Sequence, residues 1–224
     1  MNEVADNLDR IKQDLPDHIK LIAISKTQAV DRIQEAYNAG HKMFGENKVQ
    51  ELTDKHKELP GDIEWHMVGH LQTNKVKYIA PFVNMIHSVD RFKVLKTINK
   101  EALKNQRVIP CLLQIHIASE ESKFGLSREE AIEILESDAF KNLQNIRIDG
   151  LMGMTTFTDD TGLIRKEFRQ LKGLFQEIKE NYFQNQDTFR EISMGMSSDY
   201  KIATEEGSTM VRIGSSIFGA RNYQ

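Results

Sequence analysis

LIAISKTQAVDRIQEAYNAGHKMFGE, Leu21 to Glu46, is the stretch whose reading decides the fold. It opens on a short apolar run, LIAIS from Leu21. It turns polar at Lys26, and then Val30, Ile33, Ala36 and Tyr37 recur at helical spacing. Gly40 is placed to close that helix, because glycine accepts the left-handed backbone of a helix end. A second apolar run, MFGE from Met43, follows. Strand, helix and strand in so short a span make a βαβ unit, and the two strands of such a unit lie parallel.

The pattern repeats along the chain. Further strands are predicted at IEWHMVG from Ile63, VNMIHSV from Val83, IPCLLQIHIA from Ile109, IDGLMGM from Ile148, EISMGM from Glu191 and MVRIG from Met210, which brings the count to eight. Ser127 with Glu130 has the form of a capping box before Ala131–Leu135. Leu163, Phe168, Leu171, Leu174, Phe175 and Ile178 mark a longer helix, and a first helix over roughly Asn2 to Asp14 precedes the first strand. Eight βα units in 224 residues, near the ~250 typical of the class, favour a single closed (β/α)8 barrel over a doubly wound open sheet. No Pro/Gly/Ser-rich linker interrupts the chain, so residues 1–224 read as one domain.

Composition excludes several classes. Lys and Arg number 30 against 33 Asp and Glu, a net charge of −3, with no basic run to track a phosphate backbone, so no nucleic-acid partner is expected. A single cysteine, Cys111, cannot form an internal disulfide and suits a reducing cytoplasm. The start, MNEVADNLDR, is too acidic and polar for a secretory signal. No apolar run approaches the ~20 residues of a membrane helix, so no membrane association is expected.

In a parallel barrel the chemistry sits where strands end. Here they end in Ser25-Lys26-Thr27, Gly45-Glu46-Asn47, Gly69-His70, Ser88-Val89-Asp90, Gly195-Met196-Ser197-Ser198 and Gly214-Ser215-Ser216. Side chains alternate along a strand, so Lys26 shares a face with Ile22 and Ile24, and Arg212 shares one with Met210 and Gly214. The first and eighth strands adjoin in a closed barrel. Two cations together at its mouth call for an anion and disfavour each other's charge, which is how a lysine becomes a nucleophile able to form a Schiff base. The structural alternative is that Lys26 snorkels to water and Arg212 pairs with a carboxylate such as Glu46.

The Gly/Ser turns tip the balance. Ser197 and Ser198 follow the seventh strand, and Gly214, Ser215 and Ser216 follow the eighth, where this barrel class most often binds phosphate. Together with Lys26 and Arg212 they predict a phosphorylated ligand that carries a carbonyl. Other features are weaker. His66 and His70 are four apart but straddle a strand end, so a metal pair is not expected. Cys111, Trp65 and the Met-rich LMGM and SMGM runs read as core, and Glu120–Lys123 as a solvated loop.

Lys26 together with FGEN, WHMVGHLQTNK, IHSVD, GLMGM, SMGMSSDY and TMVRIGSSIFG closely resembles the YggS/PROSC family of pyridoxal 5′-phosphate (PLP) homeostasis proteins, from about Leu21 to Arg221. The resemblance implies an α/β fold, a single (β/α)8 barrel like the N-terminal domain of alanine racemase. It implies PLP held as a Schiff base on Lys26, phosphate contacts from Ser193, Ser197, the Met196 backbone, Gly214 and Ser215, Arg212 at the pyridine nitrogen, and Asn47 beside the ring. It further implies roles in vitamin B6 and amino-acid homeostasis, with apo-PLP enzymes as transient recipients. The chain departs from the family at Lys48, where an aromatic residue is frequent, and at Ser215, where threonine is common.

An arginine at the ring nitrogen cannot accept a proton, so PLP there is a weak electron sink. The chain stops at Gln224, without room for a second domain to complete a catalytic site. The expectation is therefore a cytoplasmic, monomeric PLP carrier rather than an enzyme. Two alternatives stay open. One is a weak PLP racemase or decarboxylase using Tyr200 or His66 as second base, and the other is a Schiff-base aldolase on a phosphorylated carbonyl substrate.

Overall fold

The computed structural model describes residues 3–119 and 124–219; the Glu120–Lys123 cluster lies outside them. The Leu21–Glu46 stretch folds as β1 (Lys20–Ile24), α2 (Val30–Asn38) and β2 (Met43–Glu46), with α1 (Glu3–Asp14) ahead of it. Gly40 closes α2 at φ 82°, with Gly40 N–H donating to Tyr37 O at 2.8 Å and His41 N–H to Ala36 O at 3.1 Å. That is a Schellman end.

The chain continues as α3 (Val49–Glu58), β3 (Glu64–Met67), α4 (Val76–Ile79), β4 (Met85–Val89), α5 (Phe92–Lys104) and β5 (Ile109–Ile115). Next come α6 (Arg128–Glu136), α7 (Asp138–Lys141), β6 (Ile146–Gly153), α8 (Thr161–Tyr182), β7 (Glu191–Ser193), α9 (Tyr200–Glu205), β8 (Met210–Ile213) and α10 (Ser215–Phe218). The Ser127 capping box before α6 is present in both directions.

The eight strands are all parallel and close in the order β1 to β8, with β8 pairing back onto β1 and Ile22 opposite Arg212. An open sheet is therefore excluded. Residues on the outer face, such as Leu21, Phe44, Trp65, Ile86, Leu113, Ile192 and Val211, join the helices in one continuous apolar core. Met85, Leu112, Met152 and Met210 form a separate small layer inside the barrel. The Met-rich runs are therefore split: Met152 and Met154 lie with the inner layer, Leu151 and Met194 join the shell under the helices, and Met196 reaches the barrel mouth.

Several strands are shorter than their sequence runs, β7 and β3 among them. EISMGM ends at Ser193, because Gly195 turns the chain at φ 95° and a side chain there would press on Ala203 Cβ at 2.6 Å. IEWHMVG ends at Met67, leaving Val68, Gly69 and His70 free to form the mouth. No helix among the described residues is long and apolar enough to cross a membrane.

Candidate functional site

A cavity of about 480 Å³ opens at the C-terminal ends of the strands. Lys26, Asn47, Met196, Ser197, Arg212, Gly214 and Ser215 all line it, so seven of the eight predicted site residues converge, Arg212 from within β8 and the rest from four βα turns. Ser193 is the exception. It is fully buried below the cavity, and its Oγ accepts from Arg212 Nη1 at 2.7 Å and lies 2.9 Å from His87 Nδ1.

The turn that presents Lys26 is clamped from both sides. Ser25 Oγ donates to Glu46 Oε1 at 2.6 Å, and Lys55 Nζ donates to Ser25 O at 2.7 Å. Lys55 also pairs with Glu46 at 2.8 Å and Glu51 at 2.7 Å, and Glu51 accepts the Thr27 N–H. Thr27 itself sits at φ 64°, a left-handed conformation that costs a β-branched residue ~1–3 kcal/mol and persists only where neighbours enforce it. The clamp supplies that enforcement. Burial pushes the Glu46 carboxyl up, against the attraction of Lys55.

Glu46 is thus the partner of Lys55 and not of Arg212. The Arg212 guanidinium is buried, donates to Ser193 Oγ and to Gly153 O at 3.0 Å, and is pulled down to about 10 by burial, with Asp199 opposing. It stays a cation at neutral pH.

The two Gly/Ser turns are cross-linked, since Gly214 N–H donates to Ser197 Oγ at 3.3 Å. Asp199 shapes the first turn, with Oδ1 accepting from Met196 N–H at 2.6 Å and Oδ2 from Thr155 Oγ1 at 2.9 Å. Asn47 is set by direct backbone contact with the next turn. A Cβ at Gly69 would fall 2.3 Å from Asn47 O, so only glycine fits there.

Sequence reasoning missed several lining groups. His70 lines the cavity, stacks on Phe124 with centroids 4.3 Å apart, and is bonded through Nδ1 to Asp90 at 2.8 Å. Phe157, 89% exposed, stands on the rim with Gln114 and Met154 behind it. The signal for His70 and Asp90 was present, since both occupy strand-end turns.

His66 and His70 take different partners, His87 and Asp90 respectively. His66 points into the barrel, bonded to His87 at 2.9 Å, and no cluster of three or more metal-ligating side chains occurs among the described residues. Neither proposed second base lines the cavity. His66 is buried beneath it, and Tyr200 donates its hydroxyl to Asp14 at 3.0 Å, away from the mouth. Cys111 is buried on the outer face, where burial pushes its thiol up.

The alanine racemase N-terminal domain family matches residues 1–222. The pyridoxal phosphate homeostasis protein of Aquifex aeolicus is 40% identical over 205 residues, which is 91% of this chain and 88% of that protein. The chain belongs to the pyridoxal phosphate homeostasis protein family. The family member from Escherichia coli strain K12 is 35% identical and aligns over 100% of this chain and 99% of its own.

PipY of Synechococcus elongatus, solved with PLP bound, superposes with a TM-score of 0.88 at 32% identity, covering 96% of this chain and all of PipY. An alanine racemase of Clostridium difficile shares the barrel at a TM-score of 0.79 but only 16% identity, with this chain spanning 61% of it. That likeness is one of fold alone.

Proposed function

We propose that this chain binds PLP through a Schiff base on Lys26 and serves as a PLP carrier and buffer. The observation that carries the reading is the convergence of one amine, one buried guanidinium and two cross-linked Gly/Ser turns on a single cavity. The donor set fits the group. No carboxylate lines the cavity among the described residues, which suits a phosphate dianion and an unprotonated pyridine nitrogen.

When bound, PLP supplies an aldehyde that condenses reversibly with a primary amine. The chain's own residues do the rest. Lys26 is the attachment point on a clamped turn. Ser197, Ser215, Gly214 and the Met196 backbone hold the phosphate, Asn47 flanks the ring, and Arg212 faces the ring nitrogen. Ser193 contributes to the same site. Because the guanidinium only donates, the ring nitrogen facing it stays unprotonated and the ring remains a poor electron sink, which favours storage over catalysis.

The mouth is open, so bound PLP can leave to apo-enzymes in a cytoplasmic setting. We read residues 1–224 as one monomeric PLP-binding unit.

His70 favours a second reading as a weak amino-acid racemase or decarboxylase. It is the one titratable side chain besides Lys26 and Arg212 among the described lining residues, and Asp90 orients it. Turnover of an amino acid well above that of free PLP would select that reading.

The test is the absorption spectrum after PLP addition, then borohydride reduction and peptide mapping. A visible band and a reduced adduct on Lys26, both lost in Lys26→Ala, are expected. No band, or label spread over surface lysines, defeats the PLP reading and directs the search to phosphorylated carbonyl substrates.

A further inference from the structure

The inner face of the barrel holds a line of polar side chains that leads from the cavity down to two histidines outside it. It starts at Arg212 Nη1, 2.7 Å from Ser193 Oγ, and continues from Ser193 Oγ to His87 Nδ1 at 2.9 Å. It ends with His87 Nε2 at 2.9 Å from His66 Nδ1. All four side chains are buried, on β8, β7, β4 and β3.

Proton counting orders the line. A guanidinium only donates, so Ser193 Oγ accepts from Arg212. Burial pushes both imidazoles down, His66 to about 3, so each ring carries one N–H and one bare nitrogen. With the Ser193 hydroxyl donating to His87 Nδ1, His87 Nε2–H donates to His66 Nδ1. One group is then left over, His66 Nε2, which indeed has no partner. The reverse order would strand the Ser193 proton as well. Buried polar groups are costly to leave unmatched, so the first order holds.

The consequence falls on Arg212. Gly153 O fixes one arm of its fork and Ser193 Oγ the other, so the plane of the guanidinium is set. Ser193 is held as an acceptor by His87, which spends the hydroxyl proton.

We propose that Ser193 and His87 are positioning residues, which orient Arg212 toward the PLP ring and do not touch the phosphate. This rests on the PLP reading above and assigns Ser193 a different task from a phosphate ligand.

The test has two arms. Imidazole 1H–15N spectra of the ligand-free protein need no variant and no PLP. His87 and His66 are expected as Nε2–H tautomers, and an Nδ1–H tautomer at His87 overturns the proposal.

The second arm compares PLP with pyridoxal, which lacks the phosphate, by dissociation constant and by absorption maximum. Ser193→Ala and His87→Leu are each expected to weaken both ligands by the same factor, about tenfold, and to move the absorption maximum. The double variant is expected to be no worse than either single one. His87→Asn, which keeps an acceptor at the Nδ1 position, is expected to recover most of the loss.

If Ser193→Ala weakens PLP but spares pyridoxal and the absorption maximum, Ser193 is a phosphate ligand and the proposal falls. Additive losses in the double variant overturn the role of His87. A Lys26 adduct in the unsubstituted protein, with Ser193→Ala and His87→Leu binding both ligands as tightly as it does, defeats this inference alone, whereas absence of that adduct in the unsubstituted protein defeats the functional reading and this proposal together.

Discussion

The two faces of the barrel sheet are equally hidden from solvent, yet they are built from opposite chemistries. On β8, Val211 and Ile213 point outward into the apolar shell under the helices, while Met210 and Arg212 point inward. On β4, Ile86 goes out and His87 in. Outside, shape and apolar area dominate, and Phe44 and Phe168 pack with no polar group to satisfy. Inside, a thin methionine layer carries a hydrogen-bonded line of His66, His87, Ser193 and Arg212 beneath the cavity. Stability is concentrated on one face and recognition on the other.

Truncating the outer face tests this separation most severely. Phe168 is fully buried, and Phe168→Ala is expected to cost ~3–5 kcal/mol in urea unfolding while leaving the Lys26 adduct per folded molecule intact. A loss of PLP stoichiometry in folded Phe168→Ala would break the separation.

The Glu46–Lys55 pair is the place where charge enters the outer layer, directly under the Lys26 turn. Glu46 is completely buried, so Lys55→Met strands its carboxylate and is expected to cost about 3 kcal/mol. Adding Glu46→Gln should restore most of that loss. If Lys55→Met alone is neutral, the clamp does not stabilise the fold.

Acid should weigh on the inner face. His66 and His87 are held below their ordinary value by burial, so the unfolded chain binds protons near pH 6.5 that the native barrel refuses. Their contribution is complete above pH 6.5 and is lost as pH falls from there toward 3, the value for His66. His66 is expected to remove up to ~1.4 kcal/mol per pH unit across that window, and His87 acts in the same direction. Urea unfolding at pH 7 and pH 5.5 measures the slope, and His87→Asn should lower it by about one proton. An unchanged slope would place a charged imidazole inside the barrel. The smallest effect belongs to a site remote from both regions, where Ser127→Ala removes the α6 cap for ~1 kcal/mol with no change in PLP binding.

Much of the site was legible in advance. Lys26 and Arg212 stand out because they interrupt apolar strands at positions whose facing follows from simple alternation. Ser197, Gly214 and Ser215 stand out because Gly/Ser turns after the last two strands are where such barrels bind phosphate. Asn47 needed the resemblance to a known family, since nothing about a lone asparagine after a strand marks it. His87 and Asp199 were not legible. His87 reads as one more buried strand residue until its partner, 106 positions away, is known. Asp199 reads as a helix cap, whereas it braces the Gly195–Ser198 turn through Met196 and Thr155.

By itself, the sequence determined the strand and helix periods, the inward facing of Lys26 and Arg212, and the set of turns at the barrel mouth, whereas bulges in β4 to β6 break simple alternation there. The first three depend on local backbone geometry and on burial, which neighbouring residues encode. Only the closed barrel decided that Arg212 rests on Ser193 and Gly153, that Glu46 belongs to Lys55, and that Tyr200 turns away from the cavity. Those pairings depend on the register of strands distant in sequence, which is set when β8 closes on β1, and no local pattern carries that register.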